Sequence, residues 1–210
     1  MKNFKLKVCG MREEENLQQL LSLRPDWVGF IFYEKSPRFA LPYLKNNRTL
    51  LEMPSSQKVA VFVNESVENS LAIIDLFQMG VVQLHGQEPP SVCQVLKAHG
   101  LTVFKAVGID ENVDFNQLEK YQQVVDYFVF DTKGKQEGGN GVSFDWNLLK
   151  GYRLSVPFLL SGGIGWESID ALKRFSHPQC VGIDVNSRFE VCPAFKNIDL
   201  LNNFLCAFNV

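Results

Sequence analysis

Residues 59–84 read VAVFVNESVENSLAIIDLFQMGVVQL. The segment opens on an unbroken apolar run, Val59 to Val63, continues through a helix-spaced stretch, Val67 to Met79, and closes on a second apolar run, Val81 to Leu84. Apolar runs without polar alternation are the mark of strands covered on both faces. A strand, a helix and a second strand in that order form one unit of a parallel sheet.

Outward from this unit the same alternation reaches both ends of the chain. Further apolar runs lie at Leu6 to Cys9, Trp27 to Phe32, Val103 to Val107, Tyr127 to Phe130, Pro157 to Leu160 and Cys180 to Asp184, which brings the total to eight. Helix-like stretches separate them, among them Glu13 to Leu23, Ser91 to Ala98, Phe115 to Tyr121 and Ile169 to Phe175, and a last helix is expected over Ile198 to Phe208. Eight units in 210 residues leave about 26 residues each, close to the minimum for a strand, a helix and two tight loops and near the lower size limit of a closed barrel. The competing α/β architecture, an open doubly wound sheet, usually has fewer units. The pattern therefore predicts a single-domain (β/α)8 TIM barrel, parallel and eight-stranded, over residues 1–210. No low-complexity linker marks a boundary.

Composition narrows the partners. With 21 basic and 23 acidic residues the net charge is −2, too small for a field that gathers a nucleic acid backbone or an anionic membrane, so a small-molecule substrate is expected. The five cysteines are scattered and show no C-x-x-C spacing, which points to a reduced, cytoplasmic setting. Lys2, Lys5 and Lys7 precede an apolar stretch broken by Arg12 and Glu13 to Glu15, so no signal peptide is read there, and no stretch reaches the roughly 20 apolar residues of a membrane span.

In such barrels chemistry gathers at the C-terminal ends of the strands. Polar residues at those ends are Cys9-Gly10, Ser36-Pro37-Arg38, His85-Gly86, Asp131-Thr132, Ser161-Gly162-Gly163, and Asp184 with Asn186 and Ser187. Each has an ordinary reading: Cys9 as a small buried hydrophobe, His85 as a partner for a carbonyl, Asp131 as a helix N-cap. The glycines say more as a set. Gly138-Gly139-Asn140-Gly141 and Gly162-Gly163 let backbone N–H groups approach a ligand after strands six and seven, and Asn186-Ser187 adds donors after strand eight, the place where these barrels hold phosphate.

At this point the chain resembles the phosphoribosylanthranilate isomerase family over almost its whole length. The residues that carry the resemblance are Lys7-Val8-Cys9-Gly10, Gly29 to Phe32 with Ser36-Pro37-Arg38, Gln83-Leu84-His85-Gly86 with Glu88, Phe130-Asp131-Thr132, Gly138 to Gly141 with Phe144-Asp145-Trp146, Leu160 to Gly163, and Gly182 to Ser187. The resemblance implies an Amadori rearrangement of a phosphosugar substrate, N-(5-phosphoribosyl)anthranilate, with Cys9 as general base and Asp131 as general acid. It further implies that Arg38 holds the anthranilate carboxylate and that phosphate lies between Gly162-Gly163 and Asp184 to Ser187, with His85 among the substrate-binding residues. No metal or other cofactor is needed for such a proton shuttle, and the protein is expected as a monomer or homodimer. A Schiff-base cation acidifies the neighbouring C2 hydrogen, so a thiolate whose pKa is lowered by surrounding positive charge is base enough. The chain departs from the family in one loop. Arg188 stands where a glycine is usual, and a later Gly-x-Lys-Asp pattern reads Ala194-Phe195-Lys196-Asn197.

Three rivals stay open at this level. The sister aminoaldose isomerase of histidine biosynthesis uses aspartate where this chain has Cys9. A metal-dependent epimerase would have to build its cage from His85, His99 and His177. A barrel that only binds a phosphate ligand has no need of both Cys9 and Asp131.

Overall fold

The computed structural model describes residues 4–132 and 144–208. Eight parallel strands close on themselves: β1 (Lys5–Cys9), β2 (Trp27–Ile31), β3 (Lys58–Phe62), β4 (Val81–Leu84), β5 (Thr102–Ile109), β6 (Tyr127–Thr132), β7 (Phe158–Leu160) and β8 (Cys180–Val185), with β8 paired to β1. Among the described residues seven α-helices lie between and after them: α1 (Glu14–Leu21), α2 (Leu41–Leu44), α3 (Arg48–Glu52), α4 (Val67–Phe77), α5 (Pro90–Ala98), α6 (Ile169–Arg174) and α7 (Ile198–Phe208). The expected closed barrel is thus the observed one.

The unit over residues 59–84 shows why these residues make these elements. Ser66 caps α4, its side chain accepting the Asn69 N–H, and Gln78 ends the helix in the left-handed region at φ 50°. Ser70, Ile74 and Phe77 are the buried residues of the helix, a spacing of four and three that forms one stripe against the sheet. Lys58 at the foot of β3 donates from Nζ to the Phe77 carbonyl at 2.8 Å, satisfying an orphan acceptor at the helix end.

Two apolar layers result. Side chains such as Leu6, Val8, Phe30, Phe62 and Phe130 point outward and fill the space under the helices. Cys9, Trp27, Val59, Val61, Val81, Phe104, Val129 and Leu159 point inward and fill the barrel. Trp27, Phe104 and Tyr127 meet edge to face at 4.9–5.3 Å near the strand starts and plug that end. At the strand ends the inward positions turn polar.

The structure corrects several local expectations. Phe115–Tyr121, read as helical, is a 3-10 turn, and a second 3-10 turn covers Trp146–Gly151. Seven residues at about 2.0 Å rise run roughly 14 Å. As an α-helix they would run only about 10 Å. Pro157 and Phe32 lie just outside their strands. A hairpin, β9 (Glu190–Cys192) with β10 (Phe195–Lys196), follows β8 unannounced by the strand pattern.

Candidate active site

Period two along each strand decides what stands at the barrel mouth. In β1, Val8 faces the helices, so Lys7 and Cys9 face inward. Lys7 and Asp184 are direct partners in the β1–β8 register, and Lys7 Nζ donates to Asp184 Oδ2 at 2.8 Å with both side chains almost fully buried. Asp184 Oδ1 is buried and has no hydrogen-bond partner among the described residues. Burial drives the Cys9 thiol up from its ordinary pKa and the nearby Asp184 adds to this, while the Lys7 and Lys196 ammonium groups oppose. The expectation of a thiol made acidic by surrounding positive charge is therefore corrected: the charges are there, but removing sulfur from water outweighs them.

The opposite wall is wetter. Asp131 sits in β6, where its Oδ1 accepts the Thr132 N–H at 2.8 Å and its Oδ2 lies 3.4 Å from His85 Nε2. It caps no helix. Gln83 Nε2 stands 3.0 Å from His85 Nδ1. With the amide donating, Nδ1 accepts and the Nε2–H is left to face Asp131. Asp131 and His85 keep 16% and 21% of their side-chain exposure, against 5% for Cys9 as a residue.

A third cluster runs from the loop after β2 to the hairpin. Arg38 grips Glu190 through Nε at 2.9 and 3.0 Å and Nη2 at 2.6 Å, and Lys196 Nζ reaches Glu190 Oε1 at 2.6 Å and Asn186 Oδ1 at 2.8 Å. Burial alone would raise Glu190, but Arg38 and Lys196 together hold its carboxyl below the usual range. Arg38 passes over Gly10, whose φ is +80° and where a Cβ would stand 2.7 Å from both Arg38 Cδ and Asn186 Oδ1. Gly10 is thus required twice, by its backbone and by its neighbours.

After β7, Gly162 and Gly163 both take positive φ, +85° and +64°. A Cβ on Gly162 would lie 2.6 Å from the Thr132 nitrogen and 2.9 Å from Asp131 Oδ1, so this turn packs against the end of β6. Ser187 opens a short 3-10 turn, Ser187–Phe189, after β8, and Arg188 pairs with Glu167 at 3.5 Å. The strand-six glycines Gly138, Gly139 and Gly141, with Asn140, lie outside the described residues.

The residues singled out from the sequence, Cys9, Arg38, His85, Asp131, Gly162, Gly163, Asp184, Asn186 and Ser187, thus all occupy strand ends or the loops beyond them. Lys7, Gln83, Glu190 and Lys196 were not singled out. For the first two the signal existed, since each stands two residues before a singled-out residue in an apolar strand and so shares its face. For Lys196 the signal was the lysine kept from the Gly-x-Lys-Asp pattern, whereas for Glu190 no local signal exists.

Comparison with known proteins places the chain in a family. The family model for N-(5'-phosphoribosyl)anthranilate (PRA) isomerase matches residues 6–207. The N-(5'-phosphoribosyl)anthranilate isomerase of Parabacteroides distasonis is 44% identical over 95% of this chain and 91% of its own length, and that of Phocaeicola vulgatus is 42% identical over 95% of each. Among solved structures, the Thermotoga maritima enzyme is 32% identical with a TM-score of 0.82. A phosphoribosylanthranilate isomerase in complex with reduced 1-(o-carboxyphenylamino)-1-deoxyribulose 5-phosphate is 30% identical with a TM-score of 0.80. Both matches cover 98% of this chain and 98% of the other. A family-model match spanning nearly every strand, together with relatives above 40% identity along almost the full length, means that the chain belongs to the phosphoribosylanthranilate isomerase family.

Proposed function

We infer that Cys9 and Asp131 are the base and the acid with which this isomerase of tryptophan biosynthesis rearranges N-(5-phosphoribosyl)anthranilate to 1-(2-carboxyphenylamino)-1-deoxyribulose 5-phosphate. The observation that carries the assignment is that Cys9 and Asp131 both stand at the C-terminal ends of strands, β1 and β6, of one closed barrel. Asp131 gives its proton to the ring oxygen as the C1–O bond breaks, which leaves a Schiff-base cation at C1 and the anthranilate nitrogen. The Cys9 thiolate then takes the C2 proton, the C–H electron pair becomes the C1–C2 double bond, and the enolamine tautomerises to the ketone. The working form of the pair holds one proton, on Asp131 and not on Cys9, so whatever stabilises the thiolate enlarges the active fraction.

The remaining contacts follow the substrate's length. Arg38 Nη1, which has no partner among the described residues, donates to the anthranilate carboxylate while Glu190 holds the rest of the guanidinium in plane. Gly162, Gly163, Ser187 and Asn186 surround the phosphate with backbone N–H groups, at the barrel's usual phosphate position. Asp184 Oδ1 accepts a sugar hydroxyl, and the His85 Nε2–H orients the Asp131 carboxyl. Every residue named comes from one chain, so a monomer and a homodimer accommodate the site equally. The five free cysteines suit a reduced cytoplasm.

Two variants test the assignment. Cys9→Ala and Asp131→Asn are each expected to lower kcat by roughly 10²–10⁴-fold while the reduced product analogue still binds. Near-normal turnover in either removes that residue's role. Complementation of a tryptophan auxotroph lacking this step, with a histidine auxotroph as control, tests the substrate in the cell.

A further inference from the structure

We propose that Lys7, fixed by Asp184, is the positioning residue that supplies the counter-charge for the Cys9 thiolate. The proposal rests on Cys9 being the general base. Lys7 is 0% exposed, in the interior of the barrel, an expensive place for an ammonium group. Buried lysines are kept where a partner holds their charge, and here Lys7 Nζ donates to Asp184 Oδ2 at 2.8 Å while Cys9 stands two residues on along the same inward face of β1. The strand brings Lys7 and Cys9 together, because residues two apart on β1 share a face and both lie buried inside the barrel.

The charges around the sulfur come from three elements: Lys7 on β1, Asp184 on β8 and Lys196 on β10. From β2 the neighbour is Gly29, where a Cβ would lie 2.7 Å from the Cys9 sulfur. Burial alone would depress the Lys7 ammonium, but Asp184 and Cys9 together hold it above the ordinary lysine value, so it is charged throughout the working range. Asp184 opposes thiolate formation and Lys7 favours it. Of the two, Lys7 has the larger influence on the sulfur, and Asp184, at 2.8 Å from its Nζ, also keeps the ammonium in place. When the C2 proton moves to sulfur, the charge that leaves Cys9 is replaced by no other anion, and the Lys7–Asp184 pair remains closed and neutral. The barrel interior is thus never left with an uncompensated cation.

The test is alkylation of Cys9 by iodoacetamide across pH on the whole enzyme, followed by mass spectrometry of the Cys9 peptide, in parallel with steady-state kinetics. Lys7→Met is expected to move the alkylation midpoint upward by about one pH unit or more. Near neutrality that leaves about a tenth of the thiolate or less and lowers kcat roughly tenfold at nearly constant KM. Raising the pH recovers kcat, and Lys7→Arg restores the midpoint in part. If Lys7→Met does not fold because Asp184 is left unpaired, the Lys7→Met/Asp184→Asn double variant carries the test. A smaller upward shift is expected in it, since the removed cation outweighs the removed anion. An unchanged midpoint in a folded variant overturns the role of Lys7. Full turnover of Cys9→Ala overturns the base assignment instead, and the alkylation midpoint reports the Lys7 contact whichever way that falls.

Discussion

The two walls of the barrel mouth solve opposite problems. On the β1–β8 wall, Cys9 is sealed and the charges beside it are paired inside the barrel, Lys7 to Asp184. On the β4–β6 wall, Asp131 and His85 are partly open, and the loop after β4 that carries His85 is anchored from outside the barrel. There Lys105 Nζ bonds Glu88 and the Leu84 and Gly86 carbonyls, while Glu88 accepts the Gly86 and Asn64 N–H groups. A base that takes a proton from carbon gains from a dry site, where its strength is not spent on hydration. An acid that must recover its proton each cycle gains from contact with water.

The largest effect should come from abolishing the difference at sulfur. Cys9→Ser keeps the shape of the dry wall but leaves a hydroxyl far too weak as an acid to ionise there. Its kcat is expected to fall by roughly 10²–10⁴-fold in steady-state assays, without recovery at higher pH. Next is the outer anchor of the wet wall. Lys105→Met leaves the buried Glu88 carboxylate unpaired and should lower unfolding stability by about 3–5 kcal/mol, read as a lower urea midpoint. His85→Gln, which removes the ring facing Asp131, is expected to cost about tenfold in kcat, the size of one lost charge-assisted hydrogen bond, with stability little changed.

The smallest effect belongs to the cluster that joins the β1 wall to the hairpin. Glu190→Gln should raise KM about three- to tenfold by loosening Arg38. The pH dependence gives its sign. The Glu190 carboxyl is held below its ordinary 4.5 in the folded state, so its contribution to stability is present above that value and lost as the pH falls through the lower, folded one. Acid unfolding curves of Glu190→Gln should therefore be flatter than those of the parent below about pH 4.5. Curves of equal steepness would show that the Arg38–Glu190–Lys196 cluster adds nothing in this range.

Much of this was legible residue by residue. The run Val59 to Val63 predicts a doubly covered strand, and β3 is buried along its full length. Cys9, His85 and Asp131 end apolar runs, and each ends up at the mouth because strand ends are where a parallel barrel opens. The 3-10 turns were not legible, since Phe115–Tyr121 has an acceptable helical pattern and nothing in the spacing of its apolar residues distinguishes the tighter winding. Nor was the acidity of Cys9, whose sign depends on a balance between burial and charges contributed by β1, β8 and β10.

The sequence by itself determined the order of strands and helices, the closed parallel barrel, the family and the polar groups that reach the mouth, because period-two and period-3.6 burial patterns and local motifs are properties of neighbouring residues. Only the tertiary structure decided that Lys7 meets Asp184, 177 positions away, and that Arg38 meets Glu190, 152 positions away. Those contacts are set by the closure of β8 onto β1 and by a hairpin folded back over the mouth. The electrostatics of the site follow from which distant charges that closure brings into a space without water.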